Sequence, residues 1–192
     1  MDKMDKFIVF TTSIYKSEIE GLDLGKITQE IFDYQKQNDG VKNSNHGGWQ
    51  SLNVDYPTKT IPSIDMIIER ILPFIREAFL DYGLAQEEYY IHYWLNVNRK
   101  YNYNIPHFHG DSKMSAVLYI KVPSDSGNII FERTDNMIHT FDIKNQNNFP
   151  AYYVKPLEGS LIVFPSQLKH YVEQNLTNDN DDRRVSIAFN FR

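Results

Sequence analysis

Apolar residues recur at helical spacing in two segments of the first half of the chain. The segment 24–34 has apolar residues every three or four positions, which predicts a helix with one apolar stripe. The segment 63–82 predicts a second helix, with Ser63 as a candidate N-cap and Gly83 at its end. Pro73 lies inside this second segment. Because proline removes one backbone hydrogen bond and clashes with the preceding turn, we expect a kink or two short helices there.

After Glu88 the pattern changes to short runs rich in Val, Ile, Tyr and Phe, separated by clusters of Asn, Asp, Gly and Pro. Such runs predict strands. We place them near residues 90–98, 114–122, 128–132, 138–143, 151–155, 160–164, 169–173 and 184–191. Strands at this spacing favour a sandwich, barrel or jelly roll. The intervening segments 99–105 and 132–150 are long and rich in Asn, and are either surface loops or lids over a site.

The last predicted strand, residues 184–191, alternates between apolar residues and residues that are polar or small. Strand side chains point to opposite faces in turn. One face therefore carries Val185, Ile187, Phe189 and Phe191, and the other carries Arg184, Ser186, Ala188 and Asn190. If the strand is central in its sheet, the second face lines a pocket. An edge strand facing solvent would have the same pattern.

Composition limits the chemistry that the chain can perform. The 192 residues include 20 basic and 25 acidic side chains and no cysteine. Disulfides, thiolate metal sites and a catalytic thiol are excluded, so a metal must be bound by histidine, carboxylate or amide oxygen. The net charge of -5 argues against a broad nucleic-acid-binding face.

Length and hydropathy predict one cytoplasmic domain. A chain of 192 residues is typical of a single domain. We divide it into a support region at 1–88, with a strand and helices, and a β-sheet core at 89–192. The first ten residues lack the apolar core of a signal peptide, and no stretch reaches the ~20 apolar residues of a membrane span.

Three histidines and one aspartate form a candidate metal site. His107 and His109 would point the same way from an extended chain, roughly 6.5 Å apart. Asp111 continues this parity, and a jelly roll can bring the strand that carries His170 alongside. Two histidines with one carboxylate suit non-haem Fe(II), and three histidines suit Fe(II) or Zn(II). The ligand set is either His107/His109/His170 or His109/Asp111/His170.

Five motifs together resemble the 2-oxoglutarate/Fe(II)-dependent oxygenases, of the prolyl-hydroxylase-like type common in phage and marine bacterial genomes. They are WLNVN (94–98), PHFH (106–109), SAVLY (115–119), GSLIVFPS (159–166) followed by His170, and RVSIAFN (184–190). The resemblance covers most of the chain. It implies a mainly β fold with N-terminal helices, a double-stranded β-helix (jelly roll, cupin-like) with the helices packed on one sheet.

The resemblance also implies a chemistry. Fe(II) would be held by His170 with two of His107, His109 and Asp111, and 2-oxoglutarate and O₂ would be cosubstrates. The family register favours the set of three histidines, whereas the wider superfamily uses His-x-Asp with a distal histidine. Arg184 would hold the far carboxylate of 2-oxoglutarate, because a guanidinium can donate two hydrogen bonds to it.

Ser186 and Tyr119 are further candidates for binding the cosubstrate. The substrate would be oxidised, by hydroxylation, with release of succinate and CO₂.

The class of the substrate is open among small molecules, protein side chains and nucleotides, and the oligomeric state is open too. If the protein is phage-encoded, its location is the host cytoplasm. Two alternatives are a cupin-like metal protein that does not use 2-oxoglutarate and a jelly-roll module without enzymatic activity.

Overall fold

The computed structural model describes residues 11–85, 87–133 and 148–192, and within them two helices and twelve strands. The helices are α1 (Leu24–Lys36) and α2 (Ile64–Asp81). The strands are β1 (Tyr15–Glu18), β2 (Asn45–His46), β3 (Trp49–Gln50), β4 (Val54–Asp55), β5 (Ile91–Asn98), β6 (Tyr103–His107), β7 (Met114–Lys121), β8 (Ile129–Glu132), β9 (Ala151–Val154), β10 (Ser160–Pro165), β11 (His170–Val172) and β12 (Arg184–Phe191). The strand expected at 138–143 lies outside the described residues.

The strands form two antiparallel sheets. The larger sheet has the order β1-β10-β7-β12-β5-β3, with β4 also pairing with β5. The smaller sheet has the order β2-β6-β11-β8-β9. The eight strands from β5 to β12 contribute four to each sheet, which is the arrangement of a double-stranded β-helix. The predicted fold class is confirmed.

Both helices pack against the larger sheet and bury an apolar core there. Ile27 and Ile31 of α1 are fully buried, and α2 buries the predicted stripe from Ile64 to Phe79. Each such side chain contributes roughly 1.5–3 kcal/mol when it leaves water. From the sheet, the core receives the apolar face of β12, which lies between β5 and β7. The predicted parity of β12 is therefore confirmed, and its polar face is turned away from the helices. Neither helix in the described part of the chain could cross a membrane.

Helix α2 runs unbroken through Pro73, so the expected division into two short helices is wrong. The proline is exposed, and so is Glu69, whose carbonyl loses its usual partner in the previous turn. Water can hydrogen-bond to that carbonyl, which keeps the cost of the proline small. Ser63 occupies the N-cap position without capping the helix, since its hydroxyl donates to the Glu30 carboxylate of α1 at 3.0 Å. Gly83, with φ +71°, follows the helix end as predicted.

Residues 103–107 form strand β6, so the expectation of a loop or lid over 99–105 is wrong for this part. His107 pairs with His170 of β11, and Asn104 pairs with Val172. On its other side, β6 pairs with the two-residue strand β2. The segment is polar and contains a proline, so it lacks the alternation that marks a strand in sequence. Its conformation comes from pairing with distant partners.

Candidate metal centre

Three histidines converge where the smaller sheet faces the larger one. His107 ends β6, His170 begins β11 directly opposite it, and His109 lies two residues beyond β6. One ring nitrogen from each lies within 4.8 Å of the others. His109 and His170 are stacked with an interplanar angle of 7°, and their Nε2 atoms are 3.3 Å apart. This spacing allows one metal ion to contact all three rings.

Backbone carbonyls orient two of the three rings. The His107 Nδ1 lies 2.7 Å from the Ile105 carbonyl oxygen, and the His170 Nδ1 lies 2.8 Å from the Leu168 carbonyl oxygen. A carbonyl only accepts, so each Nδ1 carries the proton and each Nε2 presents its lone pair. Metal-binding histidines are usually held by such a partner on the nitrogen that does not bind the ion. Both rings are therefore set for coordination through Nε2.

Burial keeps the three imidazoles neutral at pH 7. It lowers the pKa of His170 to about 3, with a further contribution from the nearby His107. In the same way, burial and then His107 lower the pKa of His109 to about 4. Burial also lowers the pKa of His107 below its ordinary value. A neutral imidazole is the form that binds a metal ion.

Aromatic side chains surround the cluster. The Trp94 ring stacks on His109 with centroids 5.5 Å apart, and the Phe164 ring meets His170 edge-on at 4.6 Å. Phe131 completes the wall behind His170 at 6.0 Å. These rings restrict the rotation of the His109 and His170 imidazoles and reduce the access of water to them. Trp94 was part of a motif in the sequence, but its contact with a ligand was not predicted.

Asp111, the alternative ligand, lies apart from this cluster in the structure. Its side chain is 78% exposed, and its carboxylate forms an ion pair with Arg192 at 2.6 Å. The chain does not stay extended after His109, because the amide of Ser112 donates back to the His109 carbonyl in a turn. Because of this turn, the side chains of His109 and Asp111 do not project in the same direction, as the His-x-Asp pairing requires. A metal-binding role for Asp111 stays a prediction.

Arg184 is buried and lines the same cavity as the histidines. It is 3% exposed, and its Nη1 donates to the carbonyls of Ser126 and Glu173. The Nη2 atom is buried and has no hydrogen-bond partner. Burial lowers the pKa of the guanidinium, although an arginine keeps its charge in proteins. An unpaired buried donor on a cation fits a carboxylate ligand, since the ligand would satisfy both its charge and its hydrogen-bonding capacity.

Polar side chains lie between Arg184 and the histidines on three adjacent strands. Ser186 of β12 lies opposite Tyr119 of β7 on one side and Asn96 of β5 on the other. All three line the same cavity as the histidines. Burial raises the pKa of Tyr119 to about 12, so its hydroxyl is a neutral donor at pH 7. The structure thus brings together the predicted residues Arg184, Ser186 and Tyr119.

One polar contact in the larger sheet was not predicted from the sequence, in which His92 had no evident partner. The His92 Nδ1 contacts the Asp55 carboxylate, and the Tyr90 hydroxyl donates to the same carboxylate at 2.9 Å. Asp55 belongs to a two-residue strand that pairs with β5 only in the folded chain. No spacing in the sequence could have revealed this partnership.

Comparison with known proteins identifies a family for the part of the chain that contains the histidine cluster. The family model described as "Putative 2OG-Fe(II) oxygenase" matches residues 92–190, which include all of the proposed site residues. No curated protein matches the sequence.

Solved structures share the fold at low sequence identity. The chain is similar to a prolyl-4-hydroxylase from Pseudomonas putida, with a TM-score of 0.66, 17% identity, and coverage of 95% of this chain and 93% of that one. A prolyl hydroxylase from Trichoplax adhaerens, solved with a peptide of the hypoxia inducible factor, has a TM-score of 0.64, 11% identity, and coverage of 93% and 82%. HygX from Streptomyces hygroscopicus, solved with nickel and 2-oxoglutarate, has a TM-score of 0.64, 12% identity, and coverage of 94% and 83%.

Proposed function

Since this chain belongs to the family of 2OG-Fe(II) oxygenases, we propose that His107, His109 and His170 hold its iron ion. The protein is an oxidoreductase whose family uses Fe(II), 2-oxoglutarate and O₂. The observation that carries the ligand assignment is the convergence of three ring nitrogens within 4.8 Å. The carbonyls behind His107 and His170 support it, because they leave each Nε2 free to coordinate. Three neutral nitrogen donors suit Fe(II), and the other coordination positions are left for cosubstrates.

The 2-oxoglutarate site extends from the histidines to Arg184. The unpaired Nη2 of Arg184 is the group that would bind the far carboxylate. Tyr119 and Ser186 are the neutral donors placed beside this path, and the high pKa of Tyr119 keeps its proton available. When bound, the iron supplies the chemistry by which O₂ converts 2-oxoglutarate to succinate and CO₂ and hydroxylates the substrate. The chain's own residues hold the cosubstrate in line and exclude water.

The substrate belongs to one of three classes: small molecules, protein side chains or nucleotides. The Trichoplax enzyme was solved with a peptide and HygX with hygromycin B, so this fold accepts different kinds of substrate. We retain a cytoplasmic location as a proposal. We also propose that residues 1–88 support the core and that residues 89–192 carry the catalytic site. Family membership argues against a jelly-roll module without activity and against a cupin-like protein that does not use 2-oxoglutarate.

The test is metal and cosubstrate binding in the purified protein. Under anaerobic conditions, Fe(II) with 2-oxoglutarate should give a weak visible charge-transfer band, and admission of O₂ should release succinate. His170→Ala should abolish both signals, because it removes one of the three ligands. If neither signal is seen with the wild-type protein, the proposal fails. If succinate forms normally in the His170→Ala variant, the ligand assignment is wrong.

A further inference from the structure

We propose that Ser115, Ser166 and Asn190 form a buried hydrogen-bond relay that positions the loop carrying His109 against the turn preceding His170. We call these three side chains the hydroxyl relay. The inference deepens the proposed function and rests on it, because it matters only if His109 and His170 act together. These three are positioning residues, since none of them belongs to the cluster of three histidines that would hold the ion.

The relay connects three strands of the larger sheet. Ser115 lies on β7, Asn190 lies opposite it on β12, and Ser166 directly follows β10. The Ser115 and Ser166 hydroxyl oxygens are 2.8 Å apart, and the Ser115 hydroxyl donates to the Asn190 Oδ1 at 2.7 Å. Ser115 is 2% exposed and Ser166 is fully buried. The contact between Ser115 and Ser166 is therefore sheltered from competing water, and the one between Ser115 and Asn190 is partly buried.

The direction of the hydrogen bonds follows from the donors. The amide oxygen of Asn190 can only accept, so the single hydroxyl hydrogen of Ser115 is used there. Ser166 must then donate its own hydrogen to the Ser115 oxygen. The chain of donation runs from Ser166 through Ser115 to Asn190. Because hydrogen bonds in such a chain polarise one another, loss of any member weakens the others.

Ser166 also joins the two segments that carry ligands. Its carbonyl accepts from the His109 amide at 2.8 Å, and its own amide donates to the Lys113 carbonyl at 3.0 Å. One residue thus holds both ends of the loop between His109 and β7. The next residue, Gln167, donates from Nε2 to the Gly110 carbonyl at 2.9 Å. His170 follows four residues after Ser166, so the relay sets the distance between the two ligands.

Loss of the Ser166 hydroxyl should release this arrangement. An alanine there leaves the Ser115 oxygen with one partner fewer in a buried place, and an unsatisfied buried group costs about 1–3 kcal/mol. Ser115 can find a new hydrogen-bond partner only if its side chain rotates, and that rotation removes its bond to Asn190. The backbone of residue 166 is then held only by its own hydrogen bonds to Lys113 and His109, so the acceptor of the His109 amide is positioned less firmly.

The chain offers a matched control in Ser160, at the other end of β10. It is 2% exposed, and its hydroxyl donates to the Leu157 carbonyl at 2.7 Å and accepts from the Leu157 amide at 3.1 Å. Ser160→Ala therefore removes a similarly buried hydroxyl from the opposite end of β10 without touching the ligand loops. A merely structural loss should look the same in both variants.

The first experiment uses the metal-free protein. Amide hydrogen exchange at His109 should be at least tenfold faster in Ser166→Ala than in the wild type, and unchanged in Ser160→Ala. If exchange at His109 is the same in Ser166→Ala and the wild type, the relay is overturned. This measurement needs no metal, so it tests the relay even if the proposed function fails. Ser115→Ala is expected to have the same effect on exchange at His109. It replaces Ser166→Ala in the test if that variant does not fold.

The second experiment measures Co(II) affinity, with Co(II) as a spectroscopic substitute for Fe(II). Partners that support metal ligands typically contribute 10–100-fold to affinity. Ser115→Ala and Ser166→Ala should each lose about tenfold, and the double variant should lose little more, since a chain broken once is already broken. Ser160→Ala should bind like the wild type. Equal affinity in all variants, or fully multiplicative losses in the double variant, would overturn the relay. Failure of the wild type to bind Co(II) would count against the proposed function instead.

Discussion

His107 and His170 lie directly opposite each other on neighbouring antiparallel strands, with their ring centroids 4.4 Å apart. Strand pairing fixes this distance before any ion binds, because both side chains project from the same face of one sheet. His109 approaches from the loop that follows β6. Two ligands are thus held by a rigid sheet, and the third depends on how its loop is held.

The two possible ligand sets predict opposite results for two substitutions. His107→Ala should lose the metal, and its activity should fall by more than the roughly 100-fold that loss of a supporting partner can cost. Asp111→Asn should retain both, because the Asp111 carboxylate is exposed and paired with Arg192. Metal content after reconstitution with Fe(II), together with succinate release, measures the difference. Metal loss in Asp111→Asn with retention in His107→Ala would reverse the assignment.

Arg184→Gln should weaken 2-oxoglutarate binding with little change in metal affinity. Removing one partner of a buried charge pair typically costs about 2–5 kcal/mol, which corresponds to a loss of affinity of at least about 30-fold. Arg183→Gln is the matched control, because Arg183 lies over the Phe32 ring of α1 and does not line the cavity. Titration of the anaerobic Fe(II) protein with 2-oxoglutarate gives the affinities. An unchanged affinity in Arg184→Gln would mean that the cosubstrate is held elsewhere or is not used.

The periodic parts of the structure were predictable from the sequence. The stripe of α2 and the two faces of β12 follow from spacing alone, since side-chain direction in helices and strands has a fixed period. The set His107, His109 and His170, which the structure brings together, was one of the two ligand sets that the sequence allowed. Spacing could not decide between His107 and Asp111, because that choice depends on a turn after His109.

Features that depend on distant partners were not predictable. Strand β6 is polar, so its sequence predicts a loop. It forms a strand because β11 and β2 pair with it. The contact between His92 and Asp55 likewise arises from the pairing of a two-residue strand. Ser166 was part of a motif in the sequence, but its hydrogen bond with the Ser115 hydroxyl could not be predicted. Tertiary pairing, rather than local propensity, decides each of these cases.

Tyr119→Phe isolates one hydroxyl in the cosubstrate path. A hydrogen bond to a charged group contributes about 1.5–3 kcal/mol, so the affinity for 2-oxoglutarate should fall by about 10- to 100-fold. Since burial raises the pKa of Tyr119 to about 12, the wild-type affinity should not change between pH 7 and 9 on account of this group. The measurement is the same anaerobic titration at several pH values. An affinity equal to that of the wild type would mean that Tyr119 is only a packed sheet residue.

The metal-free protein should lose stability as the pH falls from about 6.5 to about 3. The folded pKa is lowered by burial to about 4 for His109 and to about 3 for His170, against an ordinary value of 6.5 in the unfolded chain. Between these values the unfolded chain binds protons that the folded chain excludes, so the free energy of unfolding decreases with falling pH. Well above pH 6.5, these two histidines carry no proton in either the folded or the unfolded chain. Their full contribution to the free energy of unfolding is then present.

The experiment is urea unfolding at several pH values in the presence of a chelator. Replacing His109 and His170 with Asn should flatten the slope between pH 6.5 and 4, because the groups that exclude protons are gone. His46→Asn is the control, since His46 is exposed and its removal should leave the slope unchanged. If the double variant keeps the wild-type slope, other groups cause the acid sensitivity. Burial would then not be what keeps His109 and His170 neutral in the folded protein. The physical reason for expecting these two histidines to be ready to bind a metal would be lost.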